Sequence, residues 1–186
     1  MKYSIDFICN DFRKKSNMKY IFFWGHQPSA DGSVTKSCLS QWYDCKFIVD
    51  GVEYHTAEQY MMSQKALLFG DTKINQEIMQ ANHPKQFKDM GRRISGFNEK
   101  VWNDNKTDIV IKGNYAKFSQ NPELKGFLIG TYNRILVEAS PYDKIWGIGM
   151  SAVDKNINNP LEWNGENLLG FCLMEVRDML LEGKDD

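Results

Sequence analysis

The run Thr56-Ala57-Glu58-Gln59-Tyr60-Met61-Met62-Ser63-Gln64-Lys65-Ala66-Leu67-Leu68-Phe69 carries both of its own boundaries, and the rest of the chain can be placed around it. Thr56 with Gln59 three residues on is a capping-box pattern, and Gly70-Asp71 closes the run where a left-handed residue is cheap. A helix here brings Glu58 and Lys65 back to nearly the same angle, offset by about 20°. Their Cα atoms then lie about 10 Å apart. That is too far for a one-turn ion pair, yet both side chains can reach over Met61 and Met62 toward a small molecule held between them. A solvated helix face has the same spacing, so the pattern alone leaves both readings open.

The flanking sequence supplies few strands and many helices. Tyr20–Trp24 has strand composition, residues 26–36 read as a loop, and Lys46–Val49, Asp50-Gly51 and Val52–Tyr54 read as a hairpin. Helices are predicted over Thr72–Ala81, with Ile74 and Ile78 on one face, and from Pro84 through Phe87 and Met90. The longest runs from Glu99, capped by Asn98, to Ser119, with Gly113 weakening it. Another starts at Pro122. Arg134–Glu138 and Lys144–Gly149 read as strands around the turn Ser140–Asp143, residues 151–166 as a polar loop, and Asn167–Leu181 as the closing helix. Without βα alternation, repeat or linker, the class is α+β, a predominantly helical single domain with a small sheet. Residues 1–17 stand as an N-terminal extension of uncertain order before a domain over 18–186.

Composition narrows the function. A net charge of -1 argues against tight nonspecific nucleic-acid binding. Cys9, Cys38, Cys45 and Cys172 show no CxxC spacing, and His26, His55 and His83 form no ligand motif, so neither metal nor disulfide framework is expected. Charged residues interrupt the N-terminus and no run reaches membrane-span length, which points to a cytoplasmic protein without membrane attachment. Several of the five Trp fall beside Gly or Asn, where they can line a cleft or fill a core.

Phosphate-binding glycine loops and a nucleophile elbow are missing. What remains lies at element ends. Gly91-Arg92-Arg93 could present a guanidinium to a phosphate or sit on the surface. Asp143 before Trp146-Gly147 could point a carboxylate into a cleft beside a stacking indole, or merely cap its own turn. Trp163-Asn164-Gly165-Glu166-Asn167 leads into a helix that Asn167 could cap, leaving free amides for an anion.

Taken together and in order, Glu58-Gln59-Tyr60-Met61, Gln64-Lys65-Ala66, Gly91-Arg92, Ile94, Trp102, Phe118 with Gln120-Asn121 and Leu124, Glu138-Ala139-Ser140, Asp143, Trp146-Gly147-Ile148-Gly149, Trp163-Asn164-Gly165 and Asn167-Leu168-Leu169-Gly170 resemble the YbiA-like family, also called the NADAR domain family. The resemblance runs from about Phe22 to Leu181. It implies an N-glycosidase that breaks the bond between an anomeric ribose carbon and a nitrogen. The substrates it implies are early riboflavin-pathway intermediates, or ADP-ribosylated guanine carried on DNA or RNA. It further implies Lys65 as a Schiff-base nucleophile, Glu58 as charge stabiliser or proton donor, and Asp143 or Glu138 holding ribose hydroxyls or a water. Trp102 and Trp146 would stack the base, Arg92 would take phosphate, and Trp42, Gly147 and Asn167 would complete the binding set, with no cofactor. Two departures stand out: Gln41 replaces the more usual Asn, and Ile148 stands where some bacterial members have Asp. A non-catalytic ADP-ribose or nucleotide-binding module is the alternative from the same residues, and the sequence leaves the oligomeric state open.

Overall fold

A computed structural model describes residues 1–183. The chain divides into two compact units, one formed by residues 41–121 and one by residues 1–40 with 122–186. Helices predominate, and the four strands form two separate two-stranded sheets in place of the one small sheet expected.

The 41–121 unit opens with the antiparallel hairpin β2 (Phe47–Val49) and β3 (Val52–Tyr54). Its turn residues Asp50 and Gly51 have φ of 52° and 80°. Positive φ at both central positions is what a hairpin turn matching the strand twist demands, and Asp-Gly tolerates it. Four helices follow: α2 (Ala57–Leu68), α3 (Thr72–Gln80), α4 (Pro84–Gly91) and α5 (Glu99–Gln120). Thr56 Oγ1 accepts from the Gln59 amide at 3.1 Å. Gln59 Oε1 reaches one residue further back than a capping box requires and accepts from His55 N at 2.9 Å. Gln59 Nε2 donates to Ile78 O at 3.3 Å, tying α2 to α3.

Residues Ala57 to Ser63 are all buried, because α2 packs on α3, α4 and α5 at once. That explains why its sequence lacks a one-sided apolar stripe. Phe47, Val49, Tyr54, Tyr60 and Ala116 form the apolar core of this unit. Gly113, expected to weaken α5, has a packing reason instead: a Cβ there would sit 2.3 Å from the Tyr60 ring. The missing side chain lets α5 approach α2.

In the other unit, β1 (Tyr20–Phe23) and β4 (Ile135–Glu138) pair in parallel, with Tyr20 opposite Ile135 and Phe23 opposite Glu138. The closing helix α7 (Leu168–Glu182) packs on β4 and on α6 (Pro122–Ile129). Gly170 permits this, since a Cβ there would fall 2.1 Å from Leu136 O. Residues Ile5–Arg13 form helix α1, capped by Ser4 Oγ, which accepts from Phe7 N at 3.1 Å.

The strand expected over Lys144–Gly149 does not form. This stretch is a series of bends in which Ile148 N donates to Glu138 O at 3.0 Å and Gly149 N to Asp143 O at 3.0 Å. Gly149 adopts φ of 62° and Gly147 is buried against the Glu138 and Asp143 carbonyls, so the two glycines fold the segment back on itself.

Candidate active site

Lys65 lies half-buried in the last turn of α2. Its Nζ donates to Gly91 O at 2.9 Å. The ammonium also lies 4.5 Å from the centre of the Phe97 ring and 5.3 Å from that of Trp102. Burial pushes its pKa below the ordinary 10.5, while the charge of Glu58 on the same helix pulls it partly back. The outcome is an amine that sheds its proton more readily than an exposed lysine does. Glu58 itself is 6% exposed.

The local sequence explains this enclosure. Gly91 ends α4, and a Cβ there would overlap Met62 Sδ at 2.1 Å. Glycine there leaves room for the Met62 side chain where α4 brings its last carbonyl to Lys65. Glu58 N donates to Gln41 O at 2.9 Å, which sets the segment before β2 against the start of α2. The side chains of Gln41 and Asn114 approach at 3.4 Å, leaving Gln41 Nε2 and Asn114 Oδ1 buried without hydrogen-bond partners. A buried donor and acceptor left open are costly to the fold alone and useful to a polar ligand.

Of the expected residues in this unit, Lys65 and Trp102 meet, with Glu58 acting on Lys65 through its charge. Trp42 is half-buried in the segment before β2. Arg92 is exposed and pairs with Asp89 at 3.5 Å. Phe97 and Asn114 were not singled out as functional by local sequence, and Gly91 only within Gly91-Arg92-Arg93, because tertiary packing is what gives each of them its place.

In the other unit the end of β4 is held by side chains. Asn167 Oδ1 accepts from Glu138 N at 3.0 Å and its Nδ2 donates to Leu136 O at 2.9 Å. Its φ of 54° is left-handed and its side chain caps nothing, so the expected capping role is replaced by a clamp on β4. Nor are the first amides of α7 left open for an anion: Leu168 N donates to Ile145 O at 3.2 Å and Leu169 N to Trp146 O at 3.1 Å.

Asp143 Oδ1 accepts from the amides of Ile145 and Trp146, at 2.9 and 2.8 Å, fixing the turn that carries the half-buried Trp146. A Cβ at Gly147 would lie 2.8 Å from Glu138 O, and one at Gly165 would lie 2.4 Å from Gly147 O. Both positions need glycine for close backbone approach. Glu138 is half-buried at the strand end. Among the described residues no three His, Cys, Asp or Glu side chains are grouped to hold a metal ion, and no helix is long and apolar enough to cross a membrane.

A helix-rich α+β fold with these elements is also that of the solved NMR structure of the E. coli protein YbiA. The two agree with a TM-score of 0.72 at 30% identity, over 90% of this chain and 88% of that one. The chain belongs to the NADAR domain family, whose model matches residues 22–181 and so spans both units. It is 45% identical over 166 residues to N-glycosidase R617 of Acanthamoeba polyphaga mimivirus, covering 86% of this chain and 95% of the relative. It is 35% identical over 132 residues to N-glycosidase YbiA of Escherichia coli strain K12, covering 71% and 74%.

Proposed function

We propose that this chain is an N-glycosidase, a hydrolase of the bond between an anomeric ribose carbon and a base nitrogen, with Lys65 as its nucleophile. The observation that carries the reading is the desolvated Lys65 amine, fixed by the Gly91 carbonyl between two aromatic rings and sharing a helix with buried Glu58. The relatives named N-glycosidases give the bond type; the chemistry at Lys65 is inferred from its surroundings.

Neutral Lys65 attacks C1′, and the C–N bond breaks with its electron pair passing to the base nitrogen, which takes a proton from Glu58. The resulting N-ribosyl lysine opens as the C1′–O4′ bond breaks and a proton passes from the lysine nitrogen to O4′, leaving a protonated Schiff base. The Glu58 carboxylate, now without its proton, stabilises that positive charge. Water then adds to C1′, the amine departs neutral, the proton released returns to Glu58 and the free sugar leaves.

The substrate is a phosphorylated riboflavin-pathway intermediate or ADP-ribosylated guanine in DNA or RNA. Incubating the purified protein separately with the pyrimidine riboside phosphate and with an ADP-ribosyl-guanine oligonucleotide, then resolving products by chromatography, tests this directly. Release of free base or of unmodified oligonucleotide is the expected result. Binding of either compound with no bond cleaved defeats the catalytic reading in favour of a nucleotide-binding module.

A further inference from the structure

The unit containing α1 carries an open pocket of about 520 Å³ that the glycosidase reading leaves without a role. Lys2, Tyr3, Asn17 and Lys19 line one side of it, all before residue 22, where the family match begins. Asn133 and Arg177 line the other.

Arg177 is 2% exposed, and its guanidinium keeps its charge under any ordinary condition. Nη1 donates to Thr131 Oγ1 at 2.9 Å and to Arg134 O at 2.8 Å. Nε has no hydrogen-bond partner. Among the described residues no carboxylate lies within ion-pair distance of it. The nearest compensation comes through Tyr3, whose hydroxyl donates to Asp178 at 2.8 Å, and Asp178 is already shared with Lys2 at 2.8 Å. Burial pulls the Arg177 pKa below its ordinary value, and the nearby Tyr3 and Asp178 pull it only partly back. The pocket lining holds three cations, Lys2, Lys19 and Arg177, against the single carboxylate of Asp11.

A buried guanidinium with an unpartnered Nε, whose nearby carboxylate Asp178 is shared with Lys2 and makes no ion pair with it, is a cost to the fold that an anion from outside offsets. We propose that this pocket binds a phosphate group, free or as the monoester of a small metabolite. Arg177 Nε donates to it, Lys2 and Lys19 supply charge, and Tyr3, Asn17 and Asn133 offer further polar contacts. A volume of about 520 Å³ leaves room for an organic part beyond the phosphate. Because eight of the twelve lining residues come from the N-terminal segment, the bound anion adds to the hold that Lys2 and Tyr3 already give that segment on α7 through Glu175 and Asp178.

Calorimetric titration of the full chain with inorganic phosphate, glycerol 3-phosphate and uncharged glycerol tests the proposal, using Lys19→Glu, Arg177→Lys and, as a control on the surface outside the pocket, Lys155→Ala. Both anions bind wild type and Lys155→Ala alike, glycerol gives no heat, and Lys19→Glu weakens binding by at least about tenfold. Tighter binding of the monoester identifies a metabolite, whereas equal binding identifies free phosphate. Arg177→Lys keeps the charge but loses the Nε donor and also binds more weakly; if it fails to fold, Lys19→Glu decides. No heat with either anion, binding unchanged in Lys19→Glu, or binding lost in Lys155→Ala overturns the site. Neither anion is a substrate or product of the proposed glycosidase, so the result stands apart from that reading.

Discussion

Helix α2 and the bent segment 139–149 use polar side chains in opposite ways. In α2 the backbone satisfies itself through helical hydrogen bonds, so the side chains of buried Glu58 and half-buried Lys65 are not needed to hold the helix's own backbone. In segment 139–149 the backbone has no regular partner, and polar side chains are spent on it. Asp143 takes two amides of its own turn, Ser140 Oγ accepts from Asp143 N at 3.2 Å, and Asn167 clamps β4 from outside the segment. The contrast teaches that a polar residue at an element end is a weaker sign of catalysis than one held on a helix that does not need it.

Substitutions can break this contrast. The largest effect is expected from Lys65→Ala, which lowers kcat by roughly 10³-fold or more while the thermal unfolding midpoint stays near wild type. A variant that unfolds instead would place Lys65 with the structural residues. Asn167→Ala reverses the pattern: it strips partners from Glu138 N and Leu136 O and destabilises the protein by about 2–4 kcal/mol, read from urea unfolding. Stability unchanged in that variant would remove the clamp.

Glu58→Gln lowers turnover by roughly 10²-fold and also moves the pH profile. The Glu58 charge raises the Lys65 pKa against burial, so its removal shifts the rising limb of activity, where the amine deprotonates, to lower pH. A limb that stays in place or moves up would uncouple the two residues. Because the Lys65 pKa is depressed on folding, stability gains from this group as pH climbs from its folded value toward 10.5. The smallest effect is that of Thr56→Ala, about 1 kcal/mol from the lost cap, with kinetic constants unchanged.

Legibility followed the range of the interactions. The α2 boundaries, the Asp50-Gly51 turn and the starts of α3 and α5 were readable because each is set by side chains within four residues. Lys144–Gly149 misled because an apolar run with Trp and Ile has strand composition, while the Glu138 and Asp143 carbonyls against Gly147 and the Asn164 atoms against Gly149 lie outside the run itself. Asn167 has the chemistry of a cap, yet its left-handed backbone turns the carboxamide toward β4. Lys65 and Glu58 were visible as a spacing; the Gly91 carbonyl and the Phe97 ring beside Lys65 were not, since helix packing brings them there.

The central claim is that Lys65 bonds covalently to the sugar during turnover. Borohydride quenching of a single-turnover reaction, followed by peptide mass spectrometry, reads this directly. A reduced sugar adduct on the peptide bearing Lys65, absent without substrate, is the predicted result. Turnover with no adduct, or an adduct on a different lysine, would contradict it.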